Sequence, residues 1–204
     1  MIKKYDNYDK RIRFYKLLLE MDSIDEAPQY ELPDGYEFVF YQPGDRDTWI
    51  EIEQSAKEFD SYEDGRKGWK KYFEGKDHEL VNRMFFIVNE DGKKVGTASA
   101  FYDIYGKDLS GAGWVHWVSV RREYQGQGLA RPLISHALKI LKSLGYTKAK
   151  VPTQTITWLA CKLYLDFGFY PERENVKENL DGWRVIKTLT NHPKLEAFEP
   201  TNIE

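Results

Sequence analysis

The stretch from Val118 to Ala130, Val-Ser-Val-Arg-Arg-Glu-Tyr-Gln-Gly-Gln-Gly-Leu-Ala, constrains the fold more than any other part of the chain. A short strand pattern, Val118-Ser119-Val120, passes through two glycines into a long amphipathic pattern. Leu129, Leu133, Ile134, Ala137, Leu138, Leu141 and Leu144 recur at helical spacing and stop at Gly145, a residue suited to a helix C-cap. A helix with so wide an apolar stripe must lie on a sheet. Pro132 holds the helix start close to Gly128, because deeper inside a helix proline would remove a needed donor. The turn is therefore pre-helical, with backbone N–H groups gathered at the positive end of the helix dipole, and it suits a phosphate or pyrophosphate. Gly126 and Gly128 leave no Cβ in a ligand's way. On the residues alone, a tight strand-to-helix connection with no ligand explains the step equally well.

Upstream, Ile12, Phe14, Leu17, Leu18 and Met21 predict an amphipathic helix over 8–21, so residues 1–35 read as an N-terminal helical extension and linker, punctuated by Pro28, Pro33 and Gly35. The main domain is expected over 36–190, with 191–204 as a tail. Within it the patterns predict a strand at 36–41, helices at 48–58 and 62–73, and strands at 84–89 and 94–103 turning at Asp91-Gly92. A strand at 113–120 precedes the glycine turn. A strand at 148–153, a helix at 157–167 and a last strand at 185–189 complete the order, which describes an α/β fold with a mixed sheet covered by helices.

Thirty Lys and Arg against 33 Asp and Glu, a net charge of -3, argue against a phosphate-backbone partner, so no nucleic acid is expected. Cys161 is the one cysteine, and His78, His116, His136 and His192 are scattered, so neither a disulfide nor a protein-built metal site is expected. The longest apolar run is Met84 to Val88, and no apolar segment follows Lys3-Lys4. The expectation is accordingly a cytoplasmic protein with no membrane partner. Other nucleotide motifs fail. No Gly-Lys-Ser/Thr follows the turn, Arg131 stands where a dinucleotide fold has its third glycine, and Lys148-Ala149-Lys150 occupy the place of its ribose-binding acid.

The turn resembles the signature of the GNAT family of acetyl-CoA-dependent N-acetyltransferases, Gln/Arg-x-x-Gly-x-Gly/Ala behind a strand ending Leu-x-Val: Gln125, Gly128 and Ala130 follow Val118-Ser119-Val120. A second segment, Thr157 to Phe169, is similar to the family's Asn-x-x-Ala-x-x-Leu-Tyr-x-x-x-Gly-Phe helix, with Ala160, Leu163, Tyr164, Gly168 and Phe169 in register and Thr157 in place of the usual Asn. The resemblance covers about residues 36–190 and implies a mostly antiparallel central sheet of about six to seven strands with helices on both faces.

It also implies roles. The backbone of Val118 and Val120 would pair with the pantetheine arm of acetyl-CoA, and Gln125, Gly126, Gln127, Gly128, Leu129 and Ala130 would hold its pyrophosphate. The Val118 N–H could polarise the thioester carbonyl. Tyr164 on its own spacing is a half-buried core tyrosine; the resemblance makes it the general acid that protonates the departing thiolate. His116 precedes Val118 by two, which predicts the same strand face as Val118 and Val120. A base for the acceptor, or packing between Trp114 and Trp117, both fit it. Glu58 to Asp64 borders the family's acceptor site; its carboxylates suit a cationic amine and equally a solvated loop. Arg66 to Lys71 reads as an exposed helix face and Glu123 as a solvated charge. Arg121, Arg122 and Arg131 flank the turn and could meet phosphates. Cys161 reads as buried rather than as an acyl carrier.

The function so implied is transfer of an acetyl group from acetyl-CoA to a primary amine, on a small molecule or a peptide, by direct attack in a ternary complex. A non-catalytic acyl-CoA sensor and an enzyme for a longer acyl-CoA are the alternatives. A homodimer is allowed by the sequence, not read from it.

Overall fold

The computed structural model describes residues 8–204. In chain order its strands are β1 (Lys16–Met21), β2 (Tyr36–Phe40), β3 (Met84–Asn89), β4 (Lys94–Phe101), β5 (Gly113–Val120), β6 (Ala149–Gln154) and β7 (Tyr170–Pro171). Its α-helices are α1 (Arg46–Ser55), α2 (Tyr62–Tyr72), α3 (Asp77–Leu80), α4 (Ala130–Ser143), α5 (Trp158–Asp166), α6 (Arg173–Glu178) and α7 (Leu180–Thr190). They fall into two compact units, residues 29–147 and residues up to 28 together with 148–204. Seven strands with covering helices give the α/β class that the chain order implies, and every strand pairing within a unit is antiparallel.

In the 29–147 unit the strands run in the order β2-β3-β4-β5. Alternation along β4 separates two faces. A Cβ at Gly96 would stand 3.3 Å from Leu133 Cδ1, so that face carries α4, while Ser119, opposite Thr97, hydrogen-bonds to Glu53 and so faces α1. Helices thus cover both faces. The core under α1 is aromatic: Trp49 is fully buried and meets Phe59, Trp69, Phe73 and Trp117 at ring centroid distances of 5.2–5.8 Å. The Ser61 hydroxyl accepts from the Asp64 amide at 3.1 Å and starts α2 as an N-cap. On α2, Gly65 and Gly68 let Ile50 and Phe59 approach so closely that a Cβ would lie 2.5 Å from either side chain.

The other unit corrects two expectations. Residues 16–21 form a strand, not part of an N-terminal helix, with Leu17, Leu19 and Met21 buried in alternation. β1 lies between β6 and β7, paired with both, so the expected extension is part of a sheet. The short run Lys-Leu-Leu-Leu-Glu-Met satisfies either period, and the ladder from Lys16 opposite Gln154 to Met21 opposite Ala149 settles it. Residues 1–7, the start of that extension, lie outside the described residues. The second correction is 185–189, which is helix α7, with Trp183, Val185, Ile186 and Leu189 buried at helical spacing. Its β-branched pair suggested a strand, and packing against α5 and β1 overrides that propensity. The expected tail contains a short 3-10 turn, Pro193–Leu195, with Leu195 fully buried.

Among the described residues no helix is long and apolar enough to cross a membrane, and no cluster of His, Cys, Asp and Glu could hold a metal ion.

Candidate active site

The strand expected to carry the chemistry is irregular where it matters. Thr97 pairs with Ser119 and Ser99 with His116, so the one residue between them on β4, Ala98, stands opposite two of β5, Trp117 and Val118. The extra residue is a β-bulge, and Trp117 takes φ +55°, a left-handed conformation that is rare for a bulky residue and stored where something over-determines it. Here the indole is clamped by Trp49 at 5.2 Å, Phe59 at 5.5 Å and Tyr72 at 5.0 Å. The bulge overturns one expectation. Counting two residues back from Val118 put His116 on its face, but the bulge shifts the parity. His116 shares the α1 face with Ser99 and Ser119, whereas Val120, opposite Gly96, looks toward α4.

His116 keeps chemistry within reach nonetheless. Its ring is half-buried, stacks on Trp114 at 5.5 Å, and places Nε2 3.2 Å from the Tyr102 carbonyl. A carbonyl only accepts, so Nε2 carries the hydrogen and Nδ1 keeps its lone pair. Burial pushes this imidazole down to about 4, with the Tyr102 carbonyl and Asp103 opposing the shift. It is therefore neutral, and able to accept a proton, at any pH well above 4.

Beyond Val120 the chain makes a short 3-10 turn and reaches the two glycines at φ +81° (Gly126) and +83° (Gly128), values that a side chain would strain. Among the described residues, no acceptor meets the amides of Gly126, Gln127 or Gly128. They lie just ahead of α4, which starts at Ala130 and places Pro132 in its first turn, where helix amides have no partner anyway. Gln125 ties the turn down, its Nε2 donating to the Val120 carbonyl at 3.0 Å, and Tyr36 donates to Gln127 Oε1 at 2.6 Å. The result is a pre-shaped set of donors at a helix N-terminus, which can hold an anion. Arg121 is less available than the sequence suggested. Its Nε donates to the Lys94 carbonyl and Nη2 to Glu51, both at 2.9 Å. Arg131 lies over the Tyr30 ring at 5.7 Å, and Glu123 pairs with Lys93 as a surface charge.

The second motif lies in the other unit. Tyr164, in α5, is 5% exposed and meets the Phe169 ring edge at 6.0 Å. Cys161, one turn before it, is fully buried, and desolvation pushes its thiol far up, away from the thiolate that an acyl carrier needs. Thr157 precedes α5 without capping it; its hydroxyl bonds instead to the Gln154 carbonyl and Thr153.

Two features escaped the sequence. One is the wall around Trp117, where the Tyr72 and Tyr105 hydroxyls lie 3.4 Å apart and the Lys71 ammonium sits 5.0 and 5.5 Å from their rings. The other is Glu53, a fully buried carboxyl on α1. Its signal was legible: it shares the inward stripe of Trp49, Ile50 and Ile52, where a glutamate costs desolvation.

Comparison with known families agrees with this geometry. The model of the acetyltransferase (GNAT) family matches residues 46–169, more than half of the chain and both motif segments. The chain belongs to the GNAT acetyltransferase family. Solved structures share the fold of this GNAT chain. A GCN5-related N-acetyltransferase from Sphaerobacter thermophilus is similar with a TM-score of 0.60 and 21% identity, over 79% of this chain and 49% of that one. A GNAT-family acetyltransferase from Colwellia psychrerythraea is similar with a TM-score of 0.58 and 13% identity, over 78% and 54%. A glucosamine N-acetyltransferase region of a fungal multi-domain β-N-acetylglucosaminidase is similar with a TM-score of 0.56 and 15% identity, over 83% and 21%. This chain thus spans about half or less of each of these structures. No curated protein matches it.

Proposed function

We propose that this GNAT chain transfers an acetyl group from acetyl-CoA to a primary amine, by direct attack within a ternary complex. The observation that carries the reading is the turn after Gln125, where the amides of Gly126, Gln127 and Gly128 meet no acceptor among the described residues and the two left-handed glycines precede α4, within the segment matched by the family. In this reading those amides hold the pyrophosphate. The backbone of Val118 and Val120 aligns the pantetheine arm, and the Val118 N–H stabilises the charge that grows on the thioester oxygen. His116 Nδ1 takes a proton from the acceptor ammonium, which frees the nitrogen lone pair for attack. Tyr164 returns a proton to the sulfur as the C–S bond breaks. The support for Tyr164 is its place in the second motif. Direct attack is favoured over an acyl-enzyme because the Cys161 thiol is buried and held protonated.

The decisive assay is release of free CoA from acetyl-CoA across a panel of small and peptidyl primary amines. Amine-dependent release of the thiol together with the N-acetylated product is the expected result. Tight binding of acetyl-CoA with no release for any amine would make the protein a binding module, and faster release from a longer acyl-CoA would reassign the donor.

The His116→Ala variant is expected to lose about 10- to 100-fold in kcat/KM, at the lower end of general-base effects, while its acetyl-CoA affinity persists. Because the imidazole is neutral down to about pH 4, its own titration accounts only for activity lost near that value. A fall in activity between pH 8 and 5 should survive the substitution. An unchanged rate would make His116 a packing residue beside Trp114.

A further inference from the structure

Helix α1 meets β5 at the bulge and again just past it. At the bulge the Trp49 ring lies 5.2 Å from the Trp117 ring, edge to face; past it the Glu53 carboxyl accepts from Ser119 Oγ at 2.7 Å. The spacings match. Trp49 and Glu53 are one turn apart, about 6 Å along a helix, and Trp117 and Ser119 are two residues apart, about 6.6 Å along a strand. The same helix reaches the chain beyond β5, where Ser55 Oγ accepts from the Arg122 amide at 3.0 Å and Glu51 accepts from Arg121 at 2.9 Å. Those two contacts are exposed and worth little. The bond from Ser119 to Glu53 is buried, with Ser119 6% exposed and Glu53 not at all.

We infer that Glu53 is a positioning residue for the cofactor: through Ser119 it holds the bulged part of β5 in the shape that presents the Val118 and Val120 backbone to acetyl-CoA. The inference rests on the acetyltransferase reading and adds to it a residue that touches neither substrate.

A bulge that keeps a tryptophan at φ +55° is strained, and it persists only while its surroundings over-determine it. The rings of Trp49, Phe59 and Tyr72 fix Trp117 itself. They leave open where the strand resumes. Ser119 is the first residue past the bulge to take a partner of its own on β4, opposite Thr97, and it stands between Val118 and Val120. A bond from α1 to Ser119 therefore sets the course of both neighbours. Glu53 is held in turn, because the Glu58 amide donates to its carbonyl at 2.9 Å beyond the last turn of α1.

Packing gives no reason for a carboxyl at this position. Glu53 stands on the stripe of Trp49, Ile50 and Ile52, all fully buried, and its Oε1 has no partner among the described residues. A leucine of similar size would avoid the desolvation, and buried charged or polar groups replaced in this way often leave a protein as stable or more so. What a leucine cannot do is bind Ser119.

The test separates positioning from stability. Glu53→Leu is expected to melt at or above the wild-type temperature and yet to bind acetyl-CoA about 10-fold more weakly in calorimetric titration, the scale of one hydrogen bond. Saturating acetyl-CoA should recover most of kcat, so that the loss falls on KM for the cofactor. Glu53→Gln still accepts from Ser119 and should bind as the wild type does. Ser119→Ala should weaken binding by the same factor as Glu53→Leu, and its melting temperature should fall because a buried carboxyl is left unpaired. Adding Glu53→Leu to Ser119→Ala should restore the melting temperature without restoring affinity, since both substitutions remove one bond. A purely structural role would move the two readouts together. Wild-type affinity in Glu53→Leu overturns the inference, as does a Gln variant that binds as weakly as the Leu variant. Should Glu53→Leu not fold, wild-type affinity in Ser119→Ala overturns it. If the wild type itself binds no acetyl-CoA, the acetyltransferase reading has failed, and the positioning role with it.

Discussion

Turnover by a Tyr164→Phe variant is expected to fall by roughly 10- to 10⁴-fold, from partial rescue by water to complete loss of a positioned acid. The substitution keeps the ring, its edge contact with Phe169 and its place in a helix that is otherwise packed, so melting temperature and acetyl-CoA affinity should change little. A thiol ordinarily titrates near 8.5 and a phenol near 10, so protonation helps most when the leaving thiolate is a strong base. Acyl donors with more acidic thiols should therefore narrow the gap between variant and wild type. Single-turnover rates, which isolate the chemical step from product release, provide the check. Equal rates for the two proteins would make Tyr164 a core tyrosine and leave water as the acid.

Affinity for acetyl-CoA is expected to collapse, by 100-fold or more, in Gly128→Asp, a loss of about 2.7 kcal/mol or greater. Two terms contribute and can be separated. Gly128 stands at φ +83°, where any side chain costs about 1–2 kcal/mol of backbone strain, and its Cβ would meet nothing closer than Pro33 Cγ at 3.8 Å. Gly128→Ala pays that strain alone and should bind only a few-fold more weakly. The aspartate adds a negative charge at the place where the turn amides are to meet a pyrophosphate. Calorimetric titration of both variants, each shown to be folded by circular dichroism, measures the difference. Equal affinities for Ala and Asp would mean that no anion is held at the turn.

Much of this molecule was readable from local chemistry. The glycines at 126 and 128, the placement of Pro132 and the stripe from Leu129 to Leu141 specify a strand, a turn and a helix from backbone sterics and periodicity, and α4 starts at Ala130 as they require. The two motif segments named the family on the same local grounds, since Gln125, Gly128 and Ala130, and Tyr164 with Gly168, are short-range patterns. Tertiary pairing decided the rest. Lys16–Met21 is a strand because β6 and β7 offer it ladders, and 185–189 is a helix because α5 and β1 bury its stripe; neither partner is encoded nearby. The face of His116 was lost for a related reason. Alternation holds only along an unbroken ladder, and the bulge at Trp117 depends on aromatic rings from α1, α2 and the residues between them that hold the indole in a left-handed conformation. Burial acts in the same way on charge. Glu53 stands on the inward stripe of Trp49, Ile50 and Ile52 in the sequence, but its full burial, and the desolvation that raises its carboxyl, depend on the whole surrounding volume.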